Sequence, residues 1–445
     1  MRIQFLSLLL LFGFSVVGQS QEQAYSFTLD EAIAFALENN YSAINADRDI
    51  LDAKKQKWET IASGLPQITG DIGYQNQLKQ PVSLIPAEFF GGEPGTFVPI
   101  TFGQPQQANA TATLRQQIFD GSYFVGVQAT KTFLRYSANN KEKTDLEVRR
   151  AVVEAYGNVL LSIEGISIIE KNLATLEKNL FETTKIFENG LGDEESVEQL
   201  QITYTSLEIT YKYSLRLKEI SQQMLNLILG LDLEVPVQLK ENLDDLTLKK
   251  IDVELLDAPF SMENNVDYKL ALNLNEQRAL ELKLAKSRAL PTLNAFVNYG
   301  STSFSDSFNF FSGTPDWYNS SIMGFDLNIP IFSSLRRSAG TQRAKIALEK
   351  AKTQLTEAEQ QIRLQLERAK SEYFLAIEQY EASKQNLDLA ERIETKNQVK
   401  YFEGLASSFD LRQAQNQLYT AQEEYLQSMV DVINTKTSLE TILNN

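Results

Sequence analysis

The sequence contains neither cysteine nor histidine among its 445 residues. Without cysteine the chain has no disulfide bond, no thiolate nucleophile and no cysteine metal site. Without histidine it lacks the commonest general base and the commonest ligand of transition metals. Carboxylates could still catalyse a reaction, but no glycine-rich phosphate loop accompanies them. We therefore expect a protein that is not an enzyme and that holds no metal and no cofactor.

Positive charge is also scarce. The chain has 42 lysine and arginine residues against 58 aspartate and glutamate residues, which gives a formal net charge of −16. A chain this acidic is a poor electrostatic match for the phosphate backbone, so we expect no nucleic-acid partner.

The N-terminus has the pattern of a signal peptide over residues 1–20. Arg2 precedes an apolar run over residues 3–17, and the small residues Gly18 and Ser20 stand at plausible cleavage positions. A membrane anchor or a buried first helix is the alternative, but the run is short for a membrane span. No later stretch approaches about 20 uncharged apolar residues. We therefore expect no spanning helix, so that any membrane insertion would use β-strands.

Proline is absent from residues 106–235 and 331–445, and residues 341–403 lack glycine as well. Such stretches favour long helices, because proline and glycine are the residues that interrupt them. Within residues 341–403, small or apolar residues recur at steps of three or four, which is typical of a coiled-coil seam. The seam positions are Ala344, Leu348, Ala351, Leu355, Ala358, Ile362, Leu366, Ala369, Tyr373, Ala376 and Tyr380. A helix over 335–402 would be about 100 Å long at 1.5 Å per residue, which favours a coiled coil or a helical barrel.

The sequence repeats itself at an offset of 225 residues up to about residue 75 and of 213 to 214 residues from residue 118 onwards. The matching segments are Leu65-Pro66 with Leu290-Pro291, Tyr74 with Tyr299, Ile118-Phe119 with Ile331-Phe332, and Gly190-Leu191 with Gly404-Leu405. A constant register of this kind indicates two copies of one unit of about 200 residues.

We predict a first repeat over residues 21–230, a polar connector over 231–260 and a second repeat over 261–445. Each repeat begins with a helix, continues with a β-hairpin and ends with two long helices. The predicted first helices span 28–62 and 262–289, the hairpins 66–119 and 291–332, and the long helices 122–189, 194–229, 335–402 and 407–442. Thr28 and Glu31 form a capping box at the start of the first helix.

The predicted strands alternate apolar and polar residues, as Ile68, Ile72 and Tyr74 do against Thr69 and Asp71. This pattern indicates one apolar and one wet face, which fits a soluble sheet or a membrane barrel. The long loops 76–106 and 301–318 favour the barrel, where outward loops are long. Four strands cannot close a barrel, and an open edge in lipid is prohibitively unfavourable. A membrane location would therefore require several chains to share one barrel.

Two further segments carry a family resemblance. Phe187-Glu-Asn-Gly190-Leu191 and Tyr401-Phe-Glu-Gly404-Leu405 resemble a Tyr-x-x-Gly-Leu signature at a helical turn, with Phe187 replacing tyrosine in the first copy. Ile118-Phe-Asp-Gly121 and Pro330-Ile-Phe332 resemble a strand-to-helix junction. In this order and in two copies, these motifs resemble the TolC-type outer-membrane efflux family over nearly the whole mature chain.

The resemblance implies a mainly α-helical protein with a membrane β-barrel portion. The fold would combine a long α-helical barrel with four β-strands per chain, and the trimer would form a 12-stranded barrel. The chain would lie in the outer membrane of a Gram-negative bacterium, with a helical extension in the periplasm. Its partners would be two further copies, outer-membrane lipid, a periplasmic adaptor (membrane fusion) protein and an inner-membrane transporter. It would serve as the export duct for small molecules or proteins.

The resemblance also carries over site residues. It places Asp410 and a gate tyrosine, Tyr401, at a constricted channel entrance. A second acidic position falls on Gln413, and an arginine that locks the turn in some members falls on Ala406, so both features are missing here. The resemblance also implies adaptor contact at the turns. The contacting residues would be Gly190, Leu191, Gly404 and Leu405.

In the first copy, the position equivalent to Asp410 is Ser196, but acidic residues surround it. These are Asp193, Glu194, Glu195 and Glu198. We hypothesise that these carboxylates and Asp410 ring the entrance and favour cations. The alternative is a general one, since acidic residues in the first turn of any helix offset its dipole. Gly190 and Gly404 can likewise be explained without a partner, as ordinary helix C-caps.

One other class of function fits part of the sequence. A secreted coiled-coil scaffold or adhesin stalk would explain the signal peptide and the long helices. It would not explain hairpins inserted at matching positions of the two repeats.

Overall fold

The computed structural model describes residues 25–313 and 315–444, so the signal peptide predicted over residues 1–20 lies outside the described residues. Its helices are α1 Leu29–Asn39, α2 Tyr41–Ala62, α3 Gly121–Glu188, α4 Glu194–Leu229, α5 Leu243–Lys250, α6 Val266–Ser287, α7 Arg336–Phe402 and α8 Ser408–Leu443. Its strands are β1 Tyr25–Phe27, β2 Gln67–Asn76, β3 Val82–Pro86, β4 Phe97–Thr101, β5 Gln106–Asp120, β6 Val237–Leu239, β7 Thr292–Ser305 and β8 Trp317–Asn328. The four long helices begin and end within one residue of the predicted bounds.

The helix predicted over residues 28–62 is two helices, because the chain breaks at Asn40. The Asn40 backbone is extended, its side-chain amide donates to the Ile228 carbonyl over 2.7 Å, and its Oδ1 accepts from the amide of Ser42. Gly230, at φ +79°, permits the close approach, since a Cβ there would lie 2.1 Å from the Asn39 carbonyl oxygen. Helix α1 does begin with the predicted capping box of Thr28 and Glu31.

The chain forms two compact units, and each takes residues from both repeats. The first unit comprises residues up to 45, 143–261 and 363 onwards. Its core contains the predicted seam of α7, where Leu366, Ala369, Tyr373, Ala376 and Tyr380 are all buried. The seam is buried because its three- and four-residue steps keep one face of α7 turned toward the neighbouring helices.

Residues 231–260, predicted as a polar connector, are folded into this same unit. Strand β6 pairs in parallel with β1, and Leu243 and Leu246 of α5 are buried in the core. The Tyr373 hydroxyl fixes the segment by donating to the Lys250 carbonyl over 2.8 Å and accepting from the Asp252 amide. Most residues around Leu243 and Leu246 are polar, so the sequence does not indicate that these two leucines are buried.

The expectation that no helix could span a membrane needs a correction at α3. By length and composition alone, this one helix of the described chain is apolar enough to cross a membrane. Its apolar residues Val152, Val153, Tyr156, Val159 and Leu160 are buried in the core of the first unit. A core helix and a spanning helix satisfy the same test of composition, and burial in the core accounts for part of the apolar stretch here.

The second unit comprises residues 46–142 and 262–362 and contains one four-stranded sheet. The strand order is β2-β5-β7-β8, and every neighbouring pair is antiparallel. Strands β2 and β8 are the two edges. In the same unit, α3 is tied to α6 by the ion pairs Arg135–Glu276 and Lys269–Glu142.

The first predicted loop, 76–106, contains a second hairpin. Strands β3 and β4 pair antiparallel around a short 3₁₀ turn at Ala87–Phe90. Its apolar residues Leu84, Phe89 and Phe97 are exposed. The segment is predicted to be a loop because it contains several prolines and has no alternating apolar face.

Candidate functional site

The two helical turns have the same backbone conformation. Gly190 and Gly404 have φ values of +74° and +71°. The amide of the residue after each glycine donates five residues back, from Leu191 to the Ile186 carbonyl and from Leu405 to the Lys400 carbonyl. This is the Schellman geometry, which requires a left-handed residue at its centre and therefore favours glycine.

The helices that follow these turns begin with an aspartate and a serine in exchanged positions. In α4, Asp193 is the N-cap and its carboxylate accepts from the amide and the hydroxyl of Ser196, at 2.7 and 3.0 Å. In α8, Ser407 is the N-cap and Asp410 is the third helical residue, with a reciprocal capping box between them. The two repeats thus keep one carboxylate and one hydroxyl at each turn while exchanging their order.

The Asp410 carboxylate is held in its ionised form. It accepts from the Ser407 hydroxyl over 2.6 Å and from the Ser407 amide over 2.9 Å. These two hydrogen bonds, helped by the charge of Lys400, lower the pKa of Asp410. Asp410 is exposed, so its carboxylate is a fixed negative charge in contact with solvent.

The other predicted acidic residues lie in the first turns of α4 and are exposed as well. They are Asp193, Glu194, Glu195 and Glu198. A hydrogen bond of 3.1 Å from the Ser408 hydroxyl to the Gln199 side chain joins the start of α8 to the start of α4. The acidic residues of the two repeats are thus carried on neighbouring helix starts.

Tyr401 connects the end of α7 to α3. Its hydroxyl lies 3.2 Å from Oγ1 of Thr183, and the Gln398 amide donates to Asn179 Oδ1 over 2.8 Å one turn earlier. Phe187, the equivalent of Tyr401 in the first repeat, has no hydroxyl with which to make such a bond. The predicted gate residue therefore makes a contact between the repeats that its counterpart cannot.

The predicted adaptor-contacting residues are at the surface. Leu191 and Leu405 are 81% and 73% exposed, which is unusual for leucine in the turn between two packed helices. The glycines beside them have open space around the position of a Cβ.

One polar residue of this region was missed by the sequence reasoning. Glu394 of α7 is only 8% exposed, and this burial raises the pKa of its carboxyl, while the neighbouring Gln415 offsets part of the shift. Tyr419 also lies close to it. The predicted seam ends at Tyr380, but the buried face continues through Ser383 and Ala390 to Glu394. Extending the same helical period along α7 would have predicted that Glu394 is buried.

Two helices expose apolar stripes that the sequence reasoning also missed. On α4 the exposed residues share one face and are Ile202, Ile209, Tyr213, Ile220, Met224 and Leu227. On the part of α7 that belongs to the same unit they are Leu364, Leu375, Leu389 and Ile393. Both sets follow the helical period, so each set keeps to one face of its helix, and both faces are exposed in the described part of the chain.

The two edge strands of the sheet are apolar on one face and exposed. Ile68 and Ile72 of β2 and Phe325 and Leu327 of β8 are between 61% and 91% exposed. In the described part of the chain no three acidic, histidine or cysteine side chains cluster closely enough to hold a metal ion.

Comparisons with known proteins agree with this geometry. The family model described as outer membrane efflux protein matches residues 268–445. No curated protein sequence matches the chain. Among solved structures, the outer membrane protein VceC of Vibrio cholerae is 16% identical with a TM-score of 0.70, covering 94% of this chain and 96% of that one.

Two further channels have the same fold. CusC, described for its transmembrane channel formation, is 16% identical with a TM-score of 0.72 and covers 97% of this chain and 95% of its own. The CmeC outer membrane channel of Campylobacter jejuni is 17% identical with a TM-score of 0.71, covering 93% and 85%. At these identities the similarity establishes a shared fold from the sheet to the helical turns.

Proposed function

We propose that three copies of this chain form one outer-membrane export duct, because residues 268–445 match the outer membrane efflux protein family and the whole chain has the fold of solved outer-membrane channels. The duct passes small molecules or proteins from an inner-membrane transporter to the exterior. The chain is not an enzyme, and it acts by enclosing a path. The sheet lies in the outer membrane and the helices extend into the periplasm.

The open sheet carries this proposal. Each edge of the β2-β5-β7-β8 sheet leaves backbone amides and carbonyls without a partner strand. Water can satisfy such groups but lipid cannot, and each unsatisfied group costs several kcal/mol in hydrocarbon. The apolar rows on the same edges favour lipid over water. Closure with further copies removes both edges, and three copies give twelve strands.

The exposed stripes of α4 and α7 support the same assembly. One chain leaves both stripes in water, but a ring brings the α4 stripe of one subunit against the α7 stripe of the next. An interface between two different surfaces closes into a ring when the rotation is right.

The acidic turns support a cation-favouring entrance. Three copies of Asp410, Asp193, Glu194, Glu195 and Glu198 would surround the path, and rings of carboxylates attract cations. Tyr401 would hold the turns of the two repeats together through Thr183 and so act as the gate.

The exposed turns support a periplasmic adaptor protein as the partner of the duct. Leu191 and Leu405, each beside a glycine with open space around it, offer apolar contacts without a side chain to obstruct a partner helix. An inner-membrane transporter would then load the duct through this adaptor.

The scaffold or adhesin alternative leaves the sheet unexplained. A coiled-coil stalk gains nothing from two hairpins whose exposed faces are lined with Ile72, Phe325 and Leu327. The long helices alone would fit either function, and the sheet decides between them.

The native mass of the detergent-extracted mature protein tests the proposal. We expect extraction to require detergent and the mass to be three times that of the mature chain. A monomer or dimer that leaves cell envelopes without detergent would contradict the duct and favour the scaffold.

A further inference from the structure

Strands β5 and β7 form the boundary between the two repeats within one chain. They pair antiparallel with Leu114 opposite Val297 and Ala112 opposite Tyr299, and a bulge follows Gln117. This boundary joins the last strand of one hairpin to the first strand of the next.

The two hairpins are in equivalent register. Gln67 lies opposite Arg115 in the first hairpin. The residues at the repeat offsets of 225 and 213 from these are Thr292 and Asn328, and they lie opposite each other in the second hairpin. Each residue of β2 therefore has a defined counterpart in β7, and residues 106–115 of β5 have counterparts in β8.

The two strands at the free edges of the sheet therefore correspond to the two strands that meet at the β5–β7 boundary. Strand β8 is the counterpart of β5, and β2 is the counterpart of β7. We propose that β8 pairs with β2 of a neighbouring subunit in the register that β5 and β7 use within the chain. The pairing places Leu327 opposite Ile72 of the neighbour and Phe325 opposite its Tyr74. This proposal rests on the proposed ring and adds the register in which it closes.

The side chains support this register independently of the repeat. Leu327 and Phe325 would share one face with Ile72 and Tyr74, and all four are exposed and apolar in the single chain. On the other face, Asn328 would lie opposite Asp71. A slip of one residue would set Leu327 against Asp71 or Gly73 and turn one apolar row toward the wet face.

The pairing has a defined end at the start of α7. Pro330 has no amide to donate. Its carbonyl accepts from Arg337 over 2.6 Å, and the Ile331 carbonyl accepts from the same guanidinium over 3.2 Å. With these groups already occupied, the shared ladder covers Met323 to Ile329 of one subunit and 70–76 of the next.

Cysteine cross-linking tests the register, because the natural chain has no cysteine. The first double variant is Leu327→Cys with Ile72→Cys, and the second is Asn328→Cys with Asp71→Cys. Opposed antiparallel pairs alternate between wide and narrow spacing, so one of the two variants has the narrow spacing that suits a disulfide. We expect mild oxidation to give covalent dimers and trimers on a denaturing gel, which reduction returns to monomers.

A bond within one chain cannot produce this result. Strands β2 and β8 are separated by three strand spacings, or about 14 Å, and a disulfide needs Cα atoms within about 7 Å.

The matched controls combine Leu327→Cys with Ile68→Cys or with Asn76→Cys. Each control cysteine lies on the same face of β2 as Ile72 but four residues away, about 13 Å along the strand. We expect no cross-link from either, and a cross-link from one of them in place of Ile72 would overturn the register. The native mass of every variant under reducing conditions shows whether it still assembles.

The outcomes separate this proposal from the proposed function. Variants that are trimeric by native mass yet give no cross-link in any pair would overturn the strand pairing and leave the duct intact. A monomeric native mass of the unmodified protein would overturn both.

Discussion

Asp410 combines two roles in one side chain. It closes the capping box with Ser407, and it presents a fixed charge at the surface of the turn. Because its pKa is lower in the folded chain than in the unfolded one, its stabilising contribution is complete above the unfolded pKa. That contribution is lost as the pH falls through the lower, folded pKa. The charge therefore persists at pH values where an ordinary aspartate, with a pKa of about 3.9, begins to be protonated.

Substitution separates the two roles. We expect Asp410→Asn to reduce the cation preference of the reconstituted channel, measured as the reversal potential in a salt gradient across a planar bilayer. Ser407→Ala is the matched control, because it removes the hydroxyl cap, at a cost of about 1 kcal/mol, and keeps the carboxylate. Unchanged ion selectivity in Asp410→Asn would mean that the acidic turn serves the helix alone.

Glu394 is the one buried carboxyl of the described chain whose pKa is raised by burial. A carboxyl with a raised pKa binds its proton more tightly in the folded state, so it favours folding at low pH. Stability is then lost as the pH rises from the unfolded value, near 4.5, through the folded value. At neutral pH the buried, ionised carboxylate of Glu394 therefore lowers the free energy of unfolding.

We expect Glu394→Gln to raise the thermal unfolding midpoint at pH 8 and to leave it unchanged at pH 3, where the carboxyl is protonated in both the folded and the unfolded state. Circular dichroism in detergent at the two pH values measures the difference. Glu391→Gln, at an exposed position of the same helix, should leave the midpoint unchanged at both values. An equal effect of Glu394→Gln at both pH values would argue for packing and against ionisation.

At the scale of elements, the turns depend on left-handed glycines. We expect Gly404→Ala to destabilise the protein by about 1 to 2 kcal/mol, because alanine is strained at positive φ even where the space is open. Gly340→Ala is the control, since Gly340 also has open space but lies inside α7, where alanine gains about 1 kcal/mol. Thermal unfolding of the two variants should therefore shift in opposite directions, and shifts of the same sign would contradict this.

The sequence predicts the long helices well, because their bounds depend on local chemistry. Proline and glycine mark where they end, and Asp193 and Ser407 are side-chain caps at the starts of α4 and α8 that act within one turn. The break at Asn40 could not be predicted, since it depends on the carbonyl of Ile228 and on the absence of a side chain at Gly230. Both residues lie about 190 positions away in sequence, and no local pattern records them.

At the scale of the whole molecule, the sequence predicts the four strands of the main sheet but misses β1, β3, β4 and β6. It does not predict the two compact units, because each is assembled from distant segments of both repeats. Of the candidate site, the glycine turns and the exposed acids follow from motifs and spacing. The contact between Tyr401 and Thr183 needs the packing of α7 against α3, which spacing alone does not fix.

The equivalent registers of the two hairpins bear on the origin of the protein. A half-length ancestor with one hairpin would close the proposed twelve-stranded ring from six identical pieces. Fusing two halves turns three of the six boundaries into covalent neighbours, where the effective concentration of one half near the other is in the millimolar range. Assembly then requires three chains to meet instead of six, so the ring can form from a far more dilute pool of newly exported chains.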